Sequence, residues 1–333
     1  MISNQNNKIW SFYSDAKKLY NNELIIPRFV SIWLSTVCDL GCDYCFFSKY
    51  NKSTRQFINT QKLYTFIDEL ASLGTEAIEF SGGGEPTLHP DCFNIAEYAV
   101  KRGLKVGLLT NGAKFDFDKI KYFSYIRIGL DAIDNIGYRK IKKSNKTRFD
   151  KTITSIKKLK SYTVSGRPRI GVKFMLTKEN CMEIASMIEF ALKLGVDYCH
   201  FKATHTDSNS IKNLDLINRV ENILKYFKAK SPKFVYGSIV REKLKTKCFM
   251  SPIHTVITAN GDLLVCCYFY NKEHIVGSVF KDSFSKVWFS KKHIELLDSI
   301  TPKECNKYDC RWIKYNNEMK GIIEKGEHDL SFI

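Results

Sequence analysis

The chain has 333 residues, 44% of them apolar, which is enough for one large domain with a sizeable core and a smaller one beside it. Lysine and arginine number 52 against 35 acidic residues, a formal net charge of +17 that suits an anionic partner (a nucleotide, a phosphorylated small molecule, an acidic peptide or nucleic acid) and equally a solubilising surface. The polar start "MISNQNNKIW" has no apolar signal region, and no run of roughly 18 apolar residues exists to span a membrane, so a cytoplasmic chain with eleven reduced cysteines is expected.

In chain order, "RFVSIWLST" (28–36) is a β-rich run that ends just before a cysteine-rich stretch. Leu63, Phe66, Ile67 and Leu70 then recur at helical spacing, and Gly74 closes that helix. "EAIEFSG" (76–82), "KVGLLTNG" (105–112), "YIRIGLDA" (125–132), "RIGVKFMLT" (169–177) and "VDYCHFKAT" (196–204) read as strands two to six. Helices at 93–103 and 184–192 lie between them. The basic stretch 139–160, with ten Lys/Arg and one Asp, reads as a helix with a solvated face or a polyanion site. This alternation predicts a parallel sheet curled by right-handed crossovers into part of a barrel, with chemistry at the C-terminal strand ends. Residues 205–245 read as a polar connection with one helix at 213–229. A second unit starts near Cys248: Asn260-Gly261 marks a hairpin within 255–270, and 283–300 reads as one amphipathic helix. The last twenty residues, rich in charge, are expected to be peripheral.

The stretch "STVCDLGCDYCFFS" (35–48) places Cys38, Cys42 and Cys45 at C-x3-C-x2-C, right after strand one. A purely structural zinc site wants four ligands. Three thiolates suit a [4Fe–4S] cube in which one iron keeps an open position. A zinc knuckle borrowing a distant fourth cysteine is the alternative.

The triplet with Tyr44 before its third cysteine, together with "SGGGEPTLHP" (81–90) at the end of strand two, resembles the radical S-adenosylmethionine superfamily over residues 28–204. The resemblance implies that Cys38, Cys42 and Cys45 bind the cluster and that its open iron chelates S-adenosylmethionine. By the same resemblance Gly82, Gly83, Gly84 and Glu85 meet the methionine amino group, Tyr44 lies near the adenine, and Asn111 and Asp131 are cofactor contacts, Asp131 toward the ribose. Without the resemblance, Asn111 in "LLTNG" reads as a plain turn residue. A one-electron donor such as flavodoxin or ferredoxin would reduce the cluster.

Behind the barrel, Cys248 and Cys266 follow C-x12-G-x4-C, which resembles the SPASM/twitch extension. That resemblance implies a second, auxiliary [4Fe–4S] cluster held by Cys248, Cys266, Cys305 and Cys310; a four-cysteine zinc site is the rival. Strand alternation is expected to send Cys267 to the face opposite Cys266. Cys199 and Cys267 are candidate hydrogen-atom donors, with buried small hydrophobes as the plainer reading. Lys202 and His205 are candidate contacts for an anionic substrate, and Cys92 and Cys181 are expected to be inert.

The expected fold is therefore α/β, a partial (β/α)6 TIM-like barrel followed by a small α+β twitch-like extension of a β-hairpin and a helix. The expected divisions are an N-terminal extension (1–27), the barrel (28–230), the auxiliary unit (245–315) and a tail (316–333). With 27 residues before strand one, the leader-binding domain of some peptide-modifying relatives is not expected, although peptides can be bound without it. The expected reaction is oxidation or epimerisation of a small, hydroxylated, anionic molecule, with peptide maturation as the alternative. A zinc protein that binds RNA through its basic face is a third class, and a tRNA-modifying radical enzyme is permitted by charge alone. No DNA or membrane partner is expected.

Overall fold

The computed structural model describes residues 13–47, 55–204, 210–239, 242–269, 271–306, 310 and 312–324. Each of the six predicted strands forms, somewhat shorter than its apolar run: β1 (Phe29–Ile32), β2 (Ala77–Phe80), β3 (Lys105–Thr110), β4 (Tyr125–Gly129), β5 (Arg169–Leu176) and β6 (Tyr198–Ala203). Neighbours pair in parallel in sequence order, and a seventh strand, β7 (Val235–Ser238), extends the sheet beyond β6. Sequence reading misses β7 because "VYGS" is short and follows a charged helix end.

Crossover helices α2 (Thr60–Ser72), α3 (Cys92–Lys101), α4 (Asn135–Lys142), α5 (Arg148–Ser161), α6 (Ile184–Lys193) and α7 (Leu214–Lys230) cover the outer face, while α1 (Tyr13–Tyr20) precedes β1. Their apolar stripes bury against alternate strand residues such as Val30, Ile78, Leu108, Ile128, Val172 and Phe201. Asn59 and Asn213 cap α2 and α7 through their side chains, satisfying an otherwise orphaned N–H at each start. The basic stretch 139–160 is two helices. Lys143 adopts φ +51° and ends α4 with a left-handed cap, so no single basic face runs through it.

The inner face of the sheet is polar. Glu79 accepts from the Tyr125 hydroxyl, and the Arg127 guanidinium donates to Tyr198 at 3.2 Å while lying over the Tyr125 and Tyr198 rings. These groups close the N-terminal end of the lumen, which leaves the C-terminal end for chemistry.

The second unit continues the same sheet. β8 (His254–Ile257) pairs in parallel with β1, and β9 (Asp262–Leu264) and β10 (Ile275–Ser278) follow antiparallel. The Asn260-Gly261 hairpin forms as expected, with Gly261 at φ +82°. Its second run stops at Leu264, well before 270. The predicted helix 283–300 is two helices, α8 (Phe284–Trp288) and α9 (Lys291–Ser299), because the Ser290 side chain caps a new start at the His293 N–H. A short helix, α10 (Pro302–Cys305), carries Cys305.

The described part of the tail is a further correction. Helix α11 (Ile313–Glu324) buries Met319 with Leu19, Phe249 and Met250. Two apolar contacts at α1 and the Cys248 loop anchor a helix whose composition alone looks solvated. Among the described residues no helix is long and apolar enough to cross a membrane.

Candidate active site and auxiliary metal centre

The triad loop leaves β1 at the C-terminal end of the barrel. It is hung on the last turn of α4: Gly41 N–H donates to Lys142 O at 3.0 Å and Asp43 N–H to Ile141 O at 3.2 Å, while Cys45 N–H closes a turn onto Cys42 O at 3.0 Å. Cys38 is exposed, and Cys42 and Cys45 are half-buried.

The glycine motif packs against this loop. Gly84 N–H donates to Ser35 O at 2.5 Å and Glu85 N–H to Val37 O at 2.8 Å. A Cβ on Gly83 would stand 2.7 Å from Ser35 O, and one on Gly84 would stand 2.2 Å from Val37 O. The glycines thus serve a close approach between two strand ends, and Gly83 also needs its φ of +66°. The Glu85 carboxylate turns inward. Its Oε1 accepts from Thr87 N–H at 3.1 Å, Thr87 Oγ1 at 2.7 Å and Thr110 Oγ1 at 2.5 Å, and its Oε2 from Asn111 N–H at 2.6 Å. Burial holds this carboxyl above its usual range despite the four donors. The side chain therefore staples β2 to β3, leaving backbone atoms of the motif for any ligand.

Asn111 is more than a turn residue. Its Nδ2 donates to Asp39 Oδ1 at 2.7 Å and lies 3.8 Å from Cys38 Sγ, and its Oδ1 accepts from Arg148 Nη2 at 2.7 Å. Arg148 also pairs with Asp39 at 2.9 Å, so the Cys38 side of the loop is held by a three-residue polar brace.

On the other side, the Tyr44 hydroxyl donates to the Asp131 carboxylate and accepts from Lys142 Nζ at 2.9 Å. Lys142 and Asp131 form an ion pair at 3% and 0% exposure, and the second Asp131 oxygen accepts from Met175 N–H at 2.6 Å. Burial works against both charges; mutual attraction outweighs it, holding the Asp131 carboxyl low and the Lys142 ammonium high. Asp131 is thus wholly committed inside the protein, which is hard to combine with a ribose contact. Sequence reasoning misses Lys142, which lies hidden in a lysine run, and Lys173, a mid-strand lysine whose inward parity on β5 is the available signal.

Cys199 needs the same parity argument, and it goes against the donor reading. Cys199 packs with Val172, Phe201 and Ala203 in the helix-facing core, while the alternate residues His200 and Lys202 lie on the lumen face. Burial pushes its thiol up to about 12. Cys92 and Cys181 are likewise buried in the core. His205 lies outside the described residues.

The second cysteine group lines a recess of about 440 Å³, solvent at its mouth included, formed with Met250, His254, Phe269, Ile300 and Trp312. Cys248, Cys266, Cys267, Cys305 and Cys310 all face it. The expected alternation of Cys266 and Cys267 fails for a simple reason: β9 ends at Leu264, and the turn that follows brings both thiols to one side. Contact with Cys267, then burial, raises the Cys266 thiol, and burial raises Cys248 and pushes Cys305 up to about 12. Metal binding to crowded thiols of this kind releases their protons to solvent and removes the crowding of protonated sulfur. Two asparagines clamp the Cys248 segment. Asn316 accepts from Phe249 N–H at 2.6 Å and donates to Lys247 O at 3.1 Å, and Asn306 bonds both N–H and C=O of Leu244 at 2.6 and 3.0 Å.

Among the described residues, no three Cys, His, Asp or Glu side chains converge tightly enough to hold a single metal ion. A cube sets each thiolate on its own iron and so needs thiols that are neighbours but apart. The donor chemistry of the cysteines, soft sulfur with no competing carboxylate in the recess, fits iron–sulfur clusters.

Residues 34–191 match the Radical SAM superfamily, and residues 248–311 match the SPASM iron–sulfur cluster-binding domain. The chain carries a radical S-adenosylmethionine domain followed by a SPASM domain. Iron–sulfur clusters and S-adenosylmethionine are the cofactors of such enzymes. Over 76% of its length the chain is 23% identical to a probable GTP 3′,8-cyclase of Sulfurisphaera tokodaii, covering 85% of that protein. Over 89% of its length it is 23% identical to the antilisterial bacteriocin subtilosin biosynthesis protein AlbA of Bacillus subtilis, covering 67% of it. It is 27% identical to the Fe-coproporphyrin III synthase of Methanosarcina barkeri but spans only 44% of that relative. Among solved structures, SuiB of Streptococcus suis bound to S-adenosylmethionine superposes with a TM-score of 0.69 at 17% identity, over 85% of this chain and 70% of that one. These structural likenesses establish the fold, a radical SAM partial barrel with a SPASM extension.

Proposed function

We propose that this radical SAM enzyme epimerises a residue of a ribosomally made peptide, with Cys267 as hydrogen-atom donor. One observation carries the reading. Cys267 lines the auxiliary recess and also packs against Trp33, Val256 and Leu264, the small cluster on which Phe47 of the triad loop rests. Phe46 reaches the same region, its ring centroid 6.4 Å from that of Tyr268. A thiol lying between the two cysteine groups suits a donor to a radical formed beside the first of them.

Cys38, Cys42 and Cys45 would hold one [4Fe–4S] cluster, and Cys248, Cys266, Cys305 and Cys310 the other. When bound, the first cluster and S-adenosylmethionine supply a 5′-deoxyadenosyl radical that takes a hydrogen atom from carbon. The backbone of Gly82, Gly83, Gly84 and Glu85, and the Tyr44 ring, would border the cofactor, while Asn111 and Asp131 act by bracing the loop. Cys267 Sγ–H returns a hydrogen atom to the opposite face of the substrate carbon. Its sulfur is left short of one electron and one proton, which a one-electron donor such as a flavodoxin or ferredoxin and solvent restore. The aromatic wall of Trp33, Phe46 and Phe47 keeps water from the open-shell carbon.

A peptide substrate is supported by AlbA, named for subtilosin biosynthesis, and by the fold shared with SuiB, also solved with precursor peptide SuiA. A second reading, a phosphate-linked small molecule, draws on the cyclase relative and the cationic lumen. The test is turnover of candidate peptides in D₂O, by mass spectrometry and chiral amino-acid analysis. Gain of one deuterium at an inverted residue is expected. Cys267→Ala should keep about eight irons per chain, as two cubes require, still cleave S-adenosylmethionine, and give no inverted residue. Loss of two mass units from the peptide, or full inversion by Cys267→Ala, would sink the proposal; four irons and one zinc would sink the second cluster.

A further inference from the structure

Two buried lysines share one carboxylate beneath the triad loop. Asp131 is saturated by Lys142, Tyr44 and the Met175 N–H. Lys173 faces the lumen from β5, in register with Gly129 of β4 and His200 of β6. Among the described residues it has no ion-pair partner of its own. The bare backbone of Gly129 makes room for both stems: a Cβ there would stand 3.3 Å from Lys142 Nζ and 3.9 Å from Lys173 Cε. Further down the lumen the charges of Arg127 and Glu79 offset each other, while their side chains also bond Tyr198 and Tyr125.

The local set is two lysines and one carboxylate; burial draws the Lys173 ammonium below its ordinary value, and attraction to Asp131 only partly offsets this. An unpaired interior charge costs several kcal/mol even after relaxation. An anion beside Lys173 would offset that cost. What stands above it is the triad loop, tied to the end of α4 through the carbonyls of Ile141 and Lys142. Lys142 Nζ reaches that loop directly, donating to the Tyr44 hydroxyl at 2.9 Å, and Lys173 shares with it the gap left by Gly129.

We propose that Lys173 is the electrostatic counter-charge of the loaded cysteine triad: its ammonium, in excess over Asp131, stabilises the extra negative charge that reduction places on the cluster and so raises its midpoint potential. This rests on the reading of Cys38, Cys42 and Cys45 as cluster ligands. Net charge around a cluster is one of the main levers on its potential. Lys142 cannot serve alone, because Asp131 cancels it. Lys173 acts through charge and is a positioning residue for the electron; nothing in its role requires contact with substrate.

The experiment is a potentiometric titration of anaerobically reconstituted full-length protein, followed by EPR of the signal that shifts when S-adenosylmethionine is added. Lys173→Met should lower the ratio of reduced to oxidised cluster at least tenfold at the wild-type midpoint, a shift of about 59 mV for one electron. Lys173→Arg should keep the wild-type midpoint. Lys173→Gln provides a second neutral form should the methionine variant fold poorly. Full iron content and an unchanged midpoint in either neutral variant overturns the proposal, as does an unchanged midpoint with a raised KM for substrate, which would make Lys173 a substrate reader. Failure of the ligand assignment looks different: wild-type protein itself would then take up no iron at this loop.

Discussion

The two cysteine groups of this chain are built from opposite materials. The triad sits on a partly exposed loop whose neighbours are charged: Asp39 and Arg148 brace one side, Asp131 and Lys142 the other. The five cysteines of the recess sit among Met250, Ile300, Phe269 and Trp312, and neutral amides of Asn306 and Asn316 hold the chain around them. Charge near a metal group tunes its potential and draws in a charged cofactor, whereas an apolar shell shields it. On the proposed reading, the contrast suits a first group that meets a charged cofactor and a second that is shielded from solvent.

The comparison breaks most completely at Cys42. Removing one ligand of three should abolish S-adenosylmethionine cleavage, so Cys42→Ala is expected to yield 5′-deoxyadenosine only at the level of the blank, by chromatography of anaerobic assays. Iron bound by the recess should remain, read as about half the wild-type content when one of two cubes is lost. Continued production of 5′-deoxyadenosine would mean that the triad is not the reactive centre.

A large stability effect is expected next, at the charged brace. Asp131→Ala leaves Lys142 and Lys173 together without a carboxylate, and breaking a buried pair in this way costs about 3–5 kcal/mol. Urea denaturation of the apo chain reads this directly. The pH dependence has a definite sign. Lys142 outweighs burial and holds the folded Asp131 carboxyl below its ordinary value, so its contribution is complete above about pH 4, the unfolded value, and fades as pH falls through the depressed folded value. Asp131→Asn should flatten the acid side of the stability curve. Equal acid slopes in the two proteins would remove Asp131 from this role.

How much of this is legible in the residues alone? The barrel strands are legible because each is a β-branched or aromatic run bounded by turn residues, and the thiols because C-x3-C-x2-C leaves few alternatives. What stays hidden depends on facing. Lys142 sits in an ordinary lysine-rich stretch and Lys173 alone in an apolar strand, and only the end of α4 and strand parity turn them inward. Cys199 misleads for the same reason, since adjacent positions on β6 belong to opposite worlds, core and lumen. Cys267 misleads the other way: period-two alternation does not extend past Leu264, where the strand has already ended. The tail looks solvated because, among its described side chains, α11 buries single residues, Ile313, Asn316 and Met319, amid charge.

Asn316 tests the amide half of the comparison. Its two hydrogen bonds fix the backbone on either side of Cys248, and its loss leaves buried peptide groups unpaired. A cost of about 1–3 kcal/mol is expected for Asn316→Ala, with slower or partial loading of the recess and normal loading of the triad. Iron analysis on Asn316→Ala combined with Cys42→Ala separates the two, because only the recess then binds iron. Unchanged loading would show that the cysteines alone shape that site.

The smallest expected effect concerns how the two regions are joined. Glu69, on α2 of the barrel, accepts from Phe284 N–H at 2.7 Å and from Ser285 N–H and Oγ at 2.9 Å each. It therefore satisfies orphan donors at the start of α8 from outside that helix, a role normally filled by a local cap. Glu69→Gln keeps an acceptor but loses the charge and one carboxylate oxygen, so a loss of about 1 kcal/mol is expected, in the range for a cap. The Ser283 side chain, which caps Lys286 N–H, remains and limits the damage. Because α8 packs its Phe284 and Trp288 into the barrel-wide core, the loss should appear as a single cooperative transition moved to lower urea. Two separated transitions in Glu69→Gln would instead mean that the β1–β8 pairing alone does not keep barrel and extension folding as one unit.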